Sequence, residues 1–152
     1  MVTSGDRAIF VDTNVLIYAN VSSAPYHQLA IERLQNLDNS GADLWISRQI
    51  LREFIAALTR PQTFVNIQPP EVIVERIQFF EQRFQIAEDS FQVTARLLNL
   101  LQTIPMGGRQ IHDANIVATL LTSGIDRLLT HNVKDFDRFS DLITVIPLVA
   151  AT

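Results

Sequence analysis

The sequence predicts one α/β domain in three layers, with helices on both faces of a central, mostly parallel sheet. Five short apolar runs, at 8–11, 44–46, 84–87, 127–130 and 143–146, are rich in β-branched and aromatic residues and too short for helices. Segments of helical periodicity lie between them, as parallel neighbours require, because each parallel pair needs a crossover connection. With 47% hydrophobic residues in a chain of 152, there is ample material for one packed core.

Taken in order, Ala8, Ile9, Phe10 and Val11 form the first strand, followed at once by Asp12, Thr13 and Asn14, a group that caps a short helix from Val15. Ala30, Ile31, Leu34 and Leu37 mark an amphipathic helix. After the second strand, Leu51, Phe54, Ile55 and Leu58 mark another, which must end before Pro61. Pro70 suits a first-turn position for the helix carrying Ile73, Ile77 and Phe80. The helix carrying Val93, Leu97, Leu100, Leu101 and Ile104 opens with Asp89 and Gln92 spaced as a capping box. Gly107 and Gly108 then introduce a nearly all-apolar, buried helix over 111–121 that stops near Gly124. Surface loops fall at 39–42, 62–70 and 105–109. No linker or internal repeat divides the chain, so residues 1–152 read as a single domain.

Composition excludes several kinds of chemistry. Without cysteine there are no disulfides, thiolate nucleophiles or cysteine-based zinc sites. The N-terminal apolar run is too short for a signal peptide, and no stretch approaches the roughly 18 apolar residues of a membrane span, so the expected location is cytoplasmic. A net charge of −4 disfavours binding nucleic acid by bulk charge. The cations, however, are eleven arginines and the single Lys134, and arginine is the better bidentate partner for phosphate. An acidic site that captures divalent cations also becomes locally attractive to phosphate.

The polar punctuation falls where an open α/β sheet keeps its ligands, just past the C-terminal ends of strands. Asp12 follows the first strand, Ser47 ends the second and starts the helix bearing Glu53, and Thr130, His131 and Asn132 follow the fourth. Asp113 opens a helix that precedes a strand and so runs back from the same edge. Each acid alone has an ordinary structural explanation: a strand-ending cap for Asp12, a solvated helix face for Glu53, and the favourable helix dipole for Asp113. Together, three carboxylates on one rim would repel by about 4 kcal/mol per pair at a separation of about 4 Å and an effective dielectric of about 20. Hard divalent cations such as magnesium or manganese, one or two of them, are the natural compensation. Ions so held suit phosphodiester hydrolysis. His112 and His131 adjoin the acids without a clear role, Trp45 and Met106 read as packing residues, and Arg48, Arg52 and Arg109 are candidate phosphate contacts.

Four motifs recur in order: V-D-T-N after the first strand, L-R-E-F mid-chain, I-H-D-A-N-I-V-A, and L-L-T-H-N-V-K-D-F. In this the chain resembles PIN-domain ribonucleases, and among them the short VapC-type toxins, over residues 9–147. The resemblance implies a PIN-like fold and a magnesium- or manganese-dependent endoribonuclease in which Asp12, Glu53 and Asp113 hold metal and activate water. It also implies supporting roles for Asn14 and Thr130, and products ending in 5′-phosphate and 3′-hydroxyl. Many members carry a fourth acid where this chain has Asn132, and Asp135 is near enough to substitute. The partners implied are RNA, a small antitoxin protein and a second copy of the chain, with the segments 72–80 and 91–101 offering amphipathic surfaces. Two other readings stay open. One is a catalytically silent PIN-like module that binds RNA or protein; the other is a phosphatase-type hydrolase using Asp12 as nucleophile, which lacks the second Asp two residues on.

Overall fold

The computed structural model describes residues 7–61, 64 and 66–150. It is a three-layer α/β/α sandwich around a five-stranded, wholly parallel sheet. The strands are β1 (Ala8–Val11), β2 (Asp43–Ser47), β3 (Gln85–Ala87), β4 (Arg127–Thr130) and β5 (Thr144–Pro147). The helices are α1 (Thr13–Asn20), α2 (His27–Asn39), α3 (Arg48–Leu58), α4 (Pro70–Arg83), α5 (Phe91–Thr103) and α6 (Gln110–Thr122), with a 3-10 helix over Val133–Phe139.

Strand order is β3-β2-β1-β4-β5. The chain therefore builds outward from β1 on one side and returns to build outward on the other, which opens a crevice beyond the C-terminal ends of β1 and β4. Phe10 pairs with Leu128 and Val11 with Leu129, so the next residues, Asp12 and Thr130, emerge together into that crevice. All four β1 residues are buried, as a central strand covered on both faces demands.

Local chemistry sets most boundaries where expected. Pro70 stands in the first turn of α4, where a missing N–H costs nothing. After α6 the chain turns through Gly124 in the left-handed conformation (φ +75°), with its N–H on the Leu121 carbonyl and that of Ile125 on Leu120. Two expectations are corrected. Helix α1 begins at Thr13 rather than Val15, because Asp12 caps it directly. No capping box forms before α5: its cap residue is Ser90, and no side chain bonds the open N–H groups there. The loop expected over 62–70 lies partly outside the described residues.

Helix α6 buries Ala114, Ile116, Val117, Ala118, Thr119 and Leu120, in keeping with its nearly continuous apolar sequence. Met106 and Trp45 are half-buried and pack against the core. Phe54, fully buried on α3, meets Phe80 of α4 edge to face at 4.9 Å. This contact fixes the helix that carries Glu53. Phe54→Ala should cost about 3–5 kcal/mol of unfolding free energy, seen as a lower urea midpoint at an unchanged slope; a loss below about 1 kcal/mol would show that the stack does not anchor α3.

Candidate active site

Asp12 is held through its backbone and through both carboxylate oxygens. Its backbone N–H donates to the Leu129 carbonyl (2.9 Å), continuing the β1–β4 ladder by one step. One carboxylate oxygen caps α1 by accepting the Thr13 N–H at 2.8 Å. The other accepts the Thr130 hydroxyl at 2.7 Å and the Asn14 amide at 3.2 Å. The capping and functional readings of this residue are therefore compatible. Thr130 is fully buried, and its oxygen in turn accepts the backbone N–H of Asn132 (3.0 Å) and the Asn14 amide (3.3 Å). The Asn14 carbonyl oxygen takes the His131 N–H at 3.0 Å. Despite these donors, burial pushes the Asp12 carboxyl up to about 6, with the nearby charge of Glu53 adding to the rise.

Glu53 arrives from the next strand. Ser47 closes β2 and caps α3, accepting the Ile50 N–H at 3.3 Å, and Glu53 lies in the second turn of that helix. Rather than facing solvent it is half-buried, with one oxygen accepting the Thr13 hydroxyl at 2.7 Å and the other the Gln49 amide at 3.2 Å. Gln49 also donates to the His112 carbonyl (3.0 Å) and accepts from the Asn115 amide (2.8 Å). This chain of amides ties α3 to the first turns of α6, where Asp113 sits.

Asp113 is half-buried, and its carboxylate accepts no hydrogen bond among the described residues. Desolvation lifts it to about 6, reinforced by the charges of Asp135, Asp12 and Glu53 and opposed by Arg138. Asp135, Asp12 and Glu53 therefore lie within electrostatic range of Asp113, on which Arg138 acts in the opposite sense. Asn132, by contrast, is exposed and engages the cluster through its backbone. Asp135, on the 3-10 helix, is an acid whose charge acts on Asp113.

Oxygen donors of this kind suit hard divalent ions. As placed, no three carboxylate or imidazole groups among the described residues converge tightly enough to enclose an ion by themselves. An ion held here would complete its shell with water, as magnesium commonly does.

Three residues of the network escaped the sequence reading. Thr13 was visible only as part of a cap, Gln49 stands one turn before Glu53, and Asn115 is the sole amide within the apolar stretch 111–121. An amide in an otherwise apolar helix needs a partner, and that signal was available. Arg48 is a correction in the other direction. It is bound to Glu81 at 2.7 Å and to Glu88 at 2.7 and 3.1 Å, so it is not free for phosphate. Arg52 and Arg109 remain exposed. The His112 side chain is also exposed, and the His131 ring packs against Tyr18 and Tyr26.

Comparison with known proteins agrees with this architecture. Ribonuclease VapC24 of Mycobacterium tuberculosis is 28% identical over 132 residues, covering 85% of this chain and 89% of that protein. VapBC2 from Rickettsia felis, bound to a DNA fragment from its promoter, superposes with a TM-score of 0.65 at 21% identity over 92% of this chain and 98% of that one. The sarcin-ricin loop cleaving toxin VapC20 of Mycobacterium tuberculosis does so with a TM-score of 0.61 at 15% identity, over 90% and 96%. At such identities the structural likeness speaks for the fold. The PIN domain family model matches residues 9–142, from β1 through the 3-10 helix, and with that match over most of its length the chain belongs to the PIN domain family.

Proposed function

We propose that this protein is a metal-dependent endoribonuclease acting as the toxin of a toxin–antitoxin pair, with Asp12, Glu53 and Asp113 as its metal-holding acids. The observation that carries the reading is Asp12, buried and oriented by Thr13, Asn14 and Thr130 at the crevice between β1 and β4, in electrostatic contact with two further acids. A ribonuclease of the family, 28% identical over most of both chains, supports it.

A bound magnesium or manganese ion, one or two in number, would polarise the phosphoryl oxygen and make a bound water more acidic. The protein's part is orientation. Thr130 and Asn14 hold one oxygen of Asp12, while Thr13 and Gln49 hold both oxygens of Glu53, which leaves lone pairs aimed by geometry fixed in advance. Asp113 accepts no such bonds among the described residues and is half-buried. In hydrolysis the water oxygen bonds to phosphorus as the bond to the 3′ oxygen breaks; the water proton is released and the 3′ oxygen is protonated. The products carry 5′-phosphate and 3′-hydroxyl ends. Asn14 donates to Asp12 where a phosphatase of the Asp-nucleophile kind would carry its acid, so that alternative finds no support. A silent binding module rests on Asn132, yet Asp135 supplies charge to the cluster. The proposed partners are RNA, a small antitoxin protein and a second copy of this chain, and the proposed setting is the cytoplasm. The VapBC complex among the structural relatives supports the antitoxin partner.

Asp113→Asn should abolish RNA cleavage while keeping the fold, and a fully active variant would defeat the assignment. The same substitution should raise the melting temperature measured in chelator at pH 7.5. Asp113 titrates near 6 when folded against an ordinary 3.8, so its destabilising effect is absent below about pH 4, grows as pH rises through 6 and is complete above it. Allowing for its partial exposure, a gain of about 2–4 °C is expected at pH 7.5 and none at pH 4. Metal ions and protons compete for Asp12 and Asp113, so the manganese concentration giving half-maximal cleavage should rise steeply below pH 6. A flat manganese requirement from pH 5 to 8 would contradict this. Thr13→Val should lower metal affinity by about 10–100-fold, and Asp135→Asn should cost less activity than Asp12→Asn; the reverse ranking would mean that the fourth acid is misplaced.

A further inference from the structure

Beside the acidic crevice lies a cluster of rings that the mechanism above leaves unused. Tyr18 on α1, Tyr26 at the start of α2 and His131 after β4 are in mutual contact. Their centroids lie 6.1 Å apart for the two tyrosines, 5.5 Å for Tyr18 and His131, and 4.9 Å for Tyr26 and His131. Rings that serve packing alone are normally buried, but Tyr26 is 45% exposed. It is also the one residue other than glycine in the left-handed region among the described residues (φ +59°), a conformation in which a side chain is strained and glycine is at ease. No cap bond from its side chain accounts for its place at the helix start. A tyrosine kept at a position better suited to glycine points to use of the ring itself.

The cluster is attached to the residues that hold Asp12. His131 directly follows Thr130 and donates its N–H to Asn14, whose amide donates to Asp12. Tyr18 stands one helical turn beyond Asn14, and its carbonyl oxygen is 2.7 Å from Nδ1 of His27. The His131 backbone is thus two successive hydrogen bonds from the Asp12 carboxylate, and of the three rings Tyr26 is exposed while Tyr18 and His131 are half-buried. Proteins recognise unpaired RNA by stacking its bases on tyrosine, histidine and similar rings beside the groups that handle the backbone. We infer that Tyr26 and His131, backed by Tyr18, form a stacking platform for an unpaired nucleobase of the RNA adjacent to the phosphate that is cut. This rests on the ribonuclease reading and adds to it a demand for single-stranded RNA at that position.

The test uses the full chain carrying Asp113→Asn, so that RNA is bound but not cut, with Tyr26→Gly, Tyr26→Leu and Tyr26→Phe added in turn. Affinity for a fluorescein-labelled single-stranded RNA is read by anisotropy at fixed salt, alongside a matched oligonucleotide of abasic nucleotides. Tyr26→Phe should bind within about twofold, while Tyr26→Gly and Tyr26→Leu should weaken binding by about tenfold or more. Tyr26→Gly, relieved of backbone strain, should melt no lower than its parent. The abasic oligonucleotide should not distinguish the variants. In the cleaving protein, Tyr26→Gly should raise KM with kcat little changed. Unaltered RNA affinity and KM in Tyr26→Gly, with cleavage intact, would overturn the platform and leave the ribonuclease standing. So would weakening that persists on abasic RNA or that tracks a lowered melting temperature. If the parent protein neither binds nor cuts single-stranded RNA, the ribonuclease reading falls and the platform falls with it.

Discussion

The structure is organised around one electrostatic constraint: several carboxylates are held within mutual range, partly out of water, with little positive charge among them. Asp12 and Asp113 are both raised to about 6, chiefly by burial, with the charge of Glu53 adding to Asp12 and those of Asp135, Asp12 and Glu53 adding to Asp113, where Arg138 offsets part of the rise. Folding tolerates the cost because Asp12 also performs structural duties, extending the β1–β4 ladder and capping α1. The rest of the network spends its hydrogen bonds on aiming oxygens rather than neutralising them. Thr13, Asn14, Gln49 and Thr130 are all neutral donors. A site built this way would favour a cation, in keeping with the proposed metal dependence.

The sheet explains why distant acids meet. Strand order reverses about β1, so the residues just after β1 and β4 face an open crevice instead of a neighbouring strand. Helix α3 leaves β2 from the same edge, bringing Glu53, and α6 begins there, bringing Asp113. The amide relay from Asn115 through Gln49 to Glu53 then couples α3 to α6 at the height of the acids. Three segments separated by 41 and 60 positions in sequence, at residues 12, 53 and 113, are thereby brought to one edge of the sheet.

Much of this was legible beforehand because the signals were strong and local. Apolar runs bounded by polar residues marked all five strands to within a residue or so, and Pro70 and Gly124 marked helix ends through backbone restrictions that hold in any context. The acids were legible because chain topology alone puts strand ends on one rim. What escaped depends on side-chain geometry across segments. The hydrogen bonding of Glu53, though not its candidacy, is one case: a helical wheel shows the residue solvated, since the wheel knows nothing of the Thr13 hydroxyl that reaches it from α1. Arg48 looked free because Glu81 and Glu88 lie on other segments. Asp89 and Gln92 had the spacing of a capping box but not the backbone, because α5 starts one residue later, at Phe91.

On the proposed reading, the aromatic cluster at Tyr18, Tyr26 and His131 would serve the base beside the reacting phosphate, since His131 is tied to Asn14 at the end of β4. If bound divalent metal relieves the carboxylate repulsion, as proposed, anomalous diffraction from crystals of the intact protein soaked in manganese at pH 7.5 should show a peak between the carboxylates of Asp12, Glu53 and Asp113, lost when the soak is repeated with Asp12→Asn. Manganese bound elsewhere, with nothing between those three acids in well-ordered crystals, would contradict the proposal.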